Sequence, residues 1–148
     1  MTEPFTIRLK VRHYEVDAYG HVNHANYVHY FEVARVEALE AIGLGLPEMQ
    51  RQGYHIVAVE IAVKFHSPAH PGESLDIVTR VREVRAARSI WAQEIREATS
   101  GRLVATAEVV GAFTNTAGRP LRIPIGFREK LATLGPPDAI AVDDRPSE

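Results

Sequence analysis

Phe5, Ile7, Leu9 and Val11 alternate with Thr6, Arg8, Lys10 and Arg12, the period-two pattern of a half-buried strand. The period then changes. From Tyr27, apolar residues recur at Tyr30, Phe31, Ala34, Ala38, Ala41 and Ile42, which is helical spacing. Val28, Val33, Val36 and Leu39 fall off that stripe, so the pattern predicts a long helix, apolar around much of its circumference and therefore buried. Asn23 and Asn26 are candidate N-caps and Gly43 a stop, while Glu37 and Glu40 mark an exposed edge. Glu32 and Arg35, three apart, are expected to pair with each other.

After the helix the period returns to two. His55 to His66 reads as a strand with Val57, Val59, Ile61, Val63 and Phe65 on one face. Further strands are predicted from Leu75 to about Val84, from Ile90 to Ala98, and from Leu103 to Phe113, where Ala105, Ala107 and Gly111 allow close packing on a helix. Breaks fall at Gly43 to Pro47, Pro68 to Gly72, Ser100-Gly101 and Asn115 to Pro120. Short helices are expected at Pro47 to Arg51 and Phe127 to Leu134. Residues 1–134 form one domain in this reading, and 135–148, with three prolines and two adjacent aspartates, a loose tail. One buried helix followed by hairpin-linked strands predicts an α+β fold, an antiparallel sheet curled around the helix.

Composition narrows the classes. The chain has 148 residues, 45% of them apolar, a net charge of −2 and no cysteine. Near-neutral charge gives no reason to expect nucleic acid or a membrane surface as partner. The lack of cysteine removes thiolate catalysis and fits a cytoplasmic protein. No apolar signal core opens the chain, and no segment is long enough to cross a bilayer.

The chemistry concentrates between the first strand and the helix. Ala18-Tyr19-Gly20-His21 reads as a tight loop, with Asp17 at its entrance where the first strand should end. Such a loop would deliver a carboxylate to a helix N-terminus, whose unpaired N–H groups suit a developing oxyanion. That pairing is what acyl transfer needs. An aspartate there can also be only a turn residue. His21, His24 and His29 with Asp17 and Glu32 lack metal-ligand spacing, so no metal is expected. Serine-hydrolase, P-loop and dinucleotide signatures are absent.

The segment Tyr14 to Tyr27, YEVDAYGHVNHANY, resembles the signature of hotdog-fold acyl-CoA thioesterases of the 4-hydroxybenzoyl-CoA thioesterase type. Phe65 to Glu73, FHSPAHPGE, is similar to that family's second landmark, and Arg88-Ser89 and Gly118-Arg119-Pro120 fall where such proteins carry similar residues. The resemblance implies a five-stranded antiparallel sheet wrapped around one central helix, in dimers joined edge to edge and paired again into tetramers. It implies hydrolysis of a coenzyme A thioester, or of an acyl-carrier thioester, without a cofactor. Asp17 would be the general base or nucleophile, and His24 would orient water or polarise the carbonyl. Gly20, His21 and Asn23 would hold the loop, and the backbone amides of Asn26 and Tyr27 would form the oxyanion hole. Lys64, His66, Arg88 and Ser89 would receive the nucleotide end of coenzyme A. Two rival readings are a hotdog that binds acyl thioesters without turnover and an enoyl-thioester hydratase. Tyr27, Tyr30, Phe31 and Trp91 are core candidates, with an acyl pocket as their other reading.

Overall fold

The computed structural model describes residues 4–135, so the tail expected over 135–148 lies, Gly135 apart, outside the described residues. Strand β1 (Phe5–Lys10) leads through a 3-10 turn (His13–Glu15) into helix α1 (His24–Ala41) and a short helix α2 (Leu46–Arg51). Strands β2 (His55–Phe65), β3 (Ser74–Val84), β4 (Arg88–Glu97) and β5 (Leu103–Thr114) follow, then helix α3 (Ile125–Ala132). All pairings are antiparallel, in the order β1-β3-β4-β5-β2. The architecture is α+β, one sheet around one long helix.

Alternation sets the inner face. Leu75, Ile77, Thr79 and Val81 of β3 are buried, as are Ser89, Trp91, Gln93 and Ile95 of β4. Ala105, Ala107, Val109, Gly111 and Phe113 supply the same face of β5. Against it α1 packs Tyr27, Tyr30, Phe31, Ala34, Ala38 and Leu39. Helix α3 lies along the part of β3 that β1 does not reach, and Arg128 donates to the carbonyls of Val84 and Arg85 there.

Four expectations change. The first strand ends at Lys10, because the Glu15 carboxylate folds back onto the Arg12 N–H at 2.8 Å and winds a turn there. The helix starts three residues before Tyr27, with Asn23 as its cap. Its apolar circumference is not fully buried: Val28 and Val33 are exposed, on flanks that the sheet does not reach. A bulge between Ala58 and Glu60 breaks the single face expected of β2. Ile56, Ala58, Ile61, Val63 and Phe65 pair with inward residues of β5, whereas Val57 turns outward, because one inserted residue inverts the alternation.

Arg35 does not pair with Glu32. Its Nη1 donates instead to Oε1 of Gln93, at 3.0 Å across the core. Among the described residues no helix is long and apolar enough to cross a membrane.

Candidate active site

The loop carrying Asp17 is closed by a bridge between Val16 and Val22. Asp17 N donates to His21 O at 2.8 Å and Gly20 N to Asp17 O at 3.0 Å, a turn tight enough that Gly20 takes φ +79°. A side chain disfavours that conformation, which explains the glycine. Oδ1 of Asp17 accepts from Tyr19 N at 2.8 Å and, at greater length, from His21 N at 3.4 Å. The carboxylate thereby organises its own loop with one oxygen. Its Oδ2 has no protein partner among the described residues.

The helix start that faces this loop is locked from behind. Glu15 O accepts both Asn23 N and the Asn26 side-chain amide, each at 2.9 Å. Asn23 Oδ1 accepts Ala25 N, and Asn23 O accepts Asn26 N, both at 2.9 Å. Tyr27, fourth in the helix, is where the regular i→i−4 ladder begins. The amides expected to bind an oxyanion, those of Asn26 and Tyr27, are therefore engaged within the helix. The amide left over is that of His24, the first helical residue, for which no acceptor is found among the described residues. The sequence motif fixes where the helix starts; the identity of the unengaged amide follows only once Asn23, not Asn26, is the cap.

Asp17, His24, Tyr27, Phe65 and His66 line one open cleft at this end of α1. Tyr27 is buried with its ring 5.4 Å from that of Phe65, and its hydroxyl accepts the Ala69 N–H at 3.1 Å. Burial holds the phenol proton more tightly than usual, so Tyr27 is a neutral wall and not an anion. The far wall, Ser67 to Pro68, is pinned by Arg102, which donates to Ser67 Oγ at 3.1 Å, Pro68 O at 3.0 Å and Glu73 at 2.9 Å. Burial pushes the Glu73 carboxyl up, but Arg102 and the His70 N–H outweigh it and hold it below the usual range. The His21 ring stands edge-on to that of His70 at 5.3 Å, outside the loop it helps to close through its backbone.

The residues expected to receive coenzyme A are not all brought together in the chain. His66 lies in the cleft, its Nε2 3.2 Å from Thr106 Oγ1. Lys64 pairs in register with Thr106, on the sheet face turned away from the helix. Arg88 pairs with Ala112, six residues further along β5, so it stands about 20 Å from Lys64. Ser89 is fully buried and accepts the Trp91 indole N–H at 2.9 Å, so it is a core residue and not part of a rim.

A sequence profile of the thioesterase-like superfamily matches residues 11–131. The chain belongs to the thioesterase-like superfamily. Its relatives within that superfamily include the long-chain acyl-CoA thioesterase FadM of Escherichia coli, 31% identical over 128 residues, covering 86% of this chain and 96% of FadM. The chloroplastic acyl-acyl carrier protein thioesterase ATL3 of Arabidopsis thaliana is 33% identical over 131 residues, covering 88% of this chain and 69% of ATL3. The crystal structure of the hypothetical protein TT1821 from Thermus thermophilus superposes with a TM-score of 0.81 at 30% identity, covering 88% of this chain and 98% of that one. The fold is that of the hotdog thioesterases, and this member of the superfamily is a thioester hydrolase.

Proposed function

We propose that the protein hydrolyses acyl-CoA thioesters in the cleft at Asp17, to a free acid and coenzyme A. The observation that carries this is that one cleft is lined by both Asp17, a carboxylate with Oδ2 unengaged among the described residues, and His24, whose helix-terminal amide has no acceptor there. A thioester carbonyl between them would have its oxygen held by the His24 N–H while its carbon faces Asp17. Two routes fit. In one, Oδ2 takes a proton from water, the hydroxide adds to the carbonyl carbon, and collapse expels the thiolate, which recovers the proton. In the other, Oδ2 adds directly to the carbonyl carbon, the C–S bond breaks to release the thiolate and leave a mixed anhydride on Asp17, and water cleaves the anhydride to the free acid, supplying the thiol's proton. The His24 imidazole, exposed at the cleft, would orient the water.

Asp17→Asn is the discriminating variant, because Asn keeps Oδ1 to accept from Tyr19 N and removes only the charge. Followed by thiol release from an acyl-CoA, kcat should fall by about two to four orders of magnitude. A variant as fast as its parent sinks the reading. Saturable acyl-CoA binding by the parent without thiol release would favour a pure binding role, and loss of enoyl absorbance without thiol release a hydratase.

The working unit in this proposal is an edge-to-edge dimer, paired again into a tetramer. Support comes from β2, an eleven-residue strand whose outer edge pairs with no strand among the described residues and whose Val57, Val59, Ile61 and Phe65 are exposed.

A further inference from the structure

A second cavity opens at the other end of the same helix, between α1 and β2, and it contains a cation. Its volume is about 120 Å³, comparable to an engineered cavity that admits benzene, so it can take the end of a chain but not a whole one. Leu39, Ile56, Ala58, Trp91 and Val109 make the walls apolar, and Arg35 and Glu32 bring charge to them.

Arg35 is set there by a core residue. Gln93 has no exposed surface, and its Nε2 donates to Phe31 O and Thr79 Oγ1, each at 3.0 Å. The Phe31 carbonyl can only accept and the Arg35 guanidinium can only donate, so the amide cannot flip and its Oε1 accepts Arg35 Nη1. Of the five guanidinium N–H groups, this is the one hydrogen bond Arg35 makes among the described residues, and no carboxylate lies within 4.0 Å of it. Burial favours the uncharged form of Arg35 and Glu32 opposes this, yet an arginine keeps its proton in such a setting. A half-buried cation with spare donors in an apolar cavity is costly unless something accepts from it.

The position says what that is. The cleft at Asp17 and the Arg35 cavity are bounded by the same two elements, running in opposite directions. His24 and Phe65 stand at one end, Arg35 and Ile56 at the other, with Val28, Ile61 and Val63 between them. Eleven helical residues separate His24 from Arg35, about 16 Å along the axis, and the arginine side chain leans back toward the N-terminus. A medium-length acyl chain with its thioester at Asp17, laid along α1 toward the second cavity, has the length to reach the guanidinium.

Building on the thioesterase reading, we propose that Arg35, held by Gln93, selects acyl groups bearing an oxygen acceptor at their far end, a terminal carboxylate above all. A carboxylate can take two guanidinium N–H groups at once, a hydroxyl only one, and a methyl group none.

The test compares decanoyl-CoA, 10-hydroxydecanoyl-CoA and the mono-CoA thioester of decanedioic acid. For the wild type, kcat/KM should rise in that order, with about ten- to a hundredfold between the first and last. In Arg35→Met the ratio between last and first should collapse toward one, and Arg35→Lys should restore part of it. A wild type that prefers decanoyl-CoA, or an Arg35→Met variant that lowers all three rates in proportion, overturns the proposal. Gln93→Leu should lower the same ratio through misplacement of Arg35. Trp91, the single tryptophan of the chain, lines the cavity and gives a readout independent of turnover. Its fluorescence should saturate with decanedioate at concentrations about tenfold below those needed for decanoate, and Arg35→Met should erase that difference. If no thioester is cleaved but this difference is present, the thioesterase reading fails and the Arg35 site stands; equal titrations by the two acids sink the Arg35 site alone. Melting curves of each variant separate misfolding from lost selectivity, and the wild-type acid pair decides the matter even if Arg35→Met does not fold.

Discussion

Glu15 shows how a single side chain can set a site it does not touch. It is buried, and its Oε1 accepts both the Arg12 N–H at 2.8 Å and the Tyr30 hydroxyl at 2.7 Å. Its backbone carbonyl meanwhile holds Asn23 and Asn26, and so fixes the angle at which the helix start meets the Asp17 loop. Burial first, and then the Glu15 carboxylate, keep the Tyr30 phenol protonated well beyond its ordinary range, so Tyr30 stays a donor. Glu15→Ala leaves that hydroxyl and the Arg12 N–H without an acceptor and should cost about 2 to 3 kcal/mol in urea unfolding. Tyr30→Phe leaves the carboxylate with Arg12 and should cost about 1 kcal/mol. If the two losses add in the double variant, the bond between them is not the stabilising contact. Thioesterase activity in Glu15→Ala should fall through kcat, because the His24 amide moves relative to Asp17.

At the scale of elements, the turn joining β4 to β5 is built on one acid. Glu97 accepts Ser100 N and Ser100 Oγ, each at 2.7 Å, and Thr99 N at 3.1 Å. Chiefly through the Ser100 hydroxyl and then these backbone N–H groups, its carboxyl is held down to about 2 from an ordinary 4.5. The unfolded chain thus takes up the proton first as acid is added. The stability Glu97 confers is complete above pH 4.5 and drains away as the pH falls toward 2. Urea midpoints of wild type and Glu97→Gln should differ near neutrality, draw together as the pH falls below 4.5, and meet only at about pH 2 or below. A constant gap would mean that the turn does not depend on the charge. Such hairpins were legible because alternation is local: Leu75, Ile77 and Val81 announce β3 without help from the rest of the chain. The 3-10 turn left a trace too, since Glu15 three residues after Arg12 is half of a capping pattern. The bulge at Ala58 was not legible, because nothing in a run of valines and isoleucines says where one extra residue enters. Nor could periodicity join Arg35 to Gln93, which are 58 residues apart and meet only because β4 crosses beneath the helix. In the site, the motif marks Asp17 and its loop, while the unengaged amide depends on Asn23, not Asn26, capping the helix, which residue spacing alone does not decide.

For the molecule as a whole, the separation of Lys64 and His66 from Arg88 becomes intelligible if two copies join along β2. Antiparallel pairing of two such edges would set the His55 end of one strand beside the Phe65 end of the other, and so bring a second copy's Arg88 toward the Asp17 cleft. The protein should then sediment at a multiple of its chain mass of 16.4 kDa, twice that mass for the dimer and four times for the paired dimers. Val59 sits at the bulge and has no register partner on β5, so Val59→Pro falls at the point of β2 where a proline is best tolerated within the sheet while it obstructs the edge. It should shift the protein to monomers and lower kcat/KM in parallel; a wild type that sediments as a single chain removes the premise. Arg88→Ala alone should raise KM for an acyl-CoA about tenfold with kcat little changed, as loss of a phosphate contact does. Mixing the two damaged proteins then decides which copy serves which site. In a hybrid of one Asp17→Asn chain and one Arg88→Ala chain, a site that draws Asp17 and Arg88 from different copies is intact once, so mixing should add a component with wild-type KM to the high-KM activity of the remaining Arg88→Ala homodimers. A site built from one copy alone has no intact example in that hybrid, and the mixture would keep the raised KM of its Arg88→Ala chains.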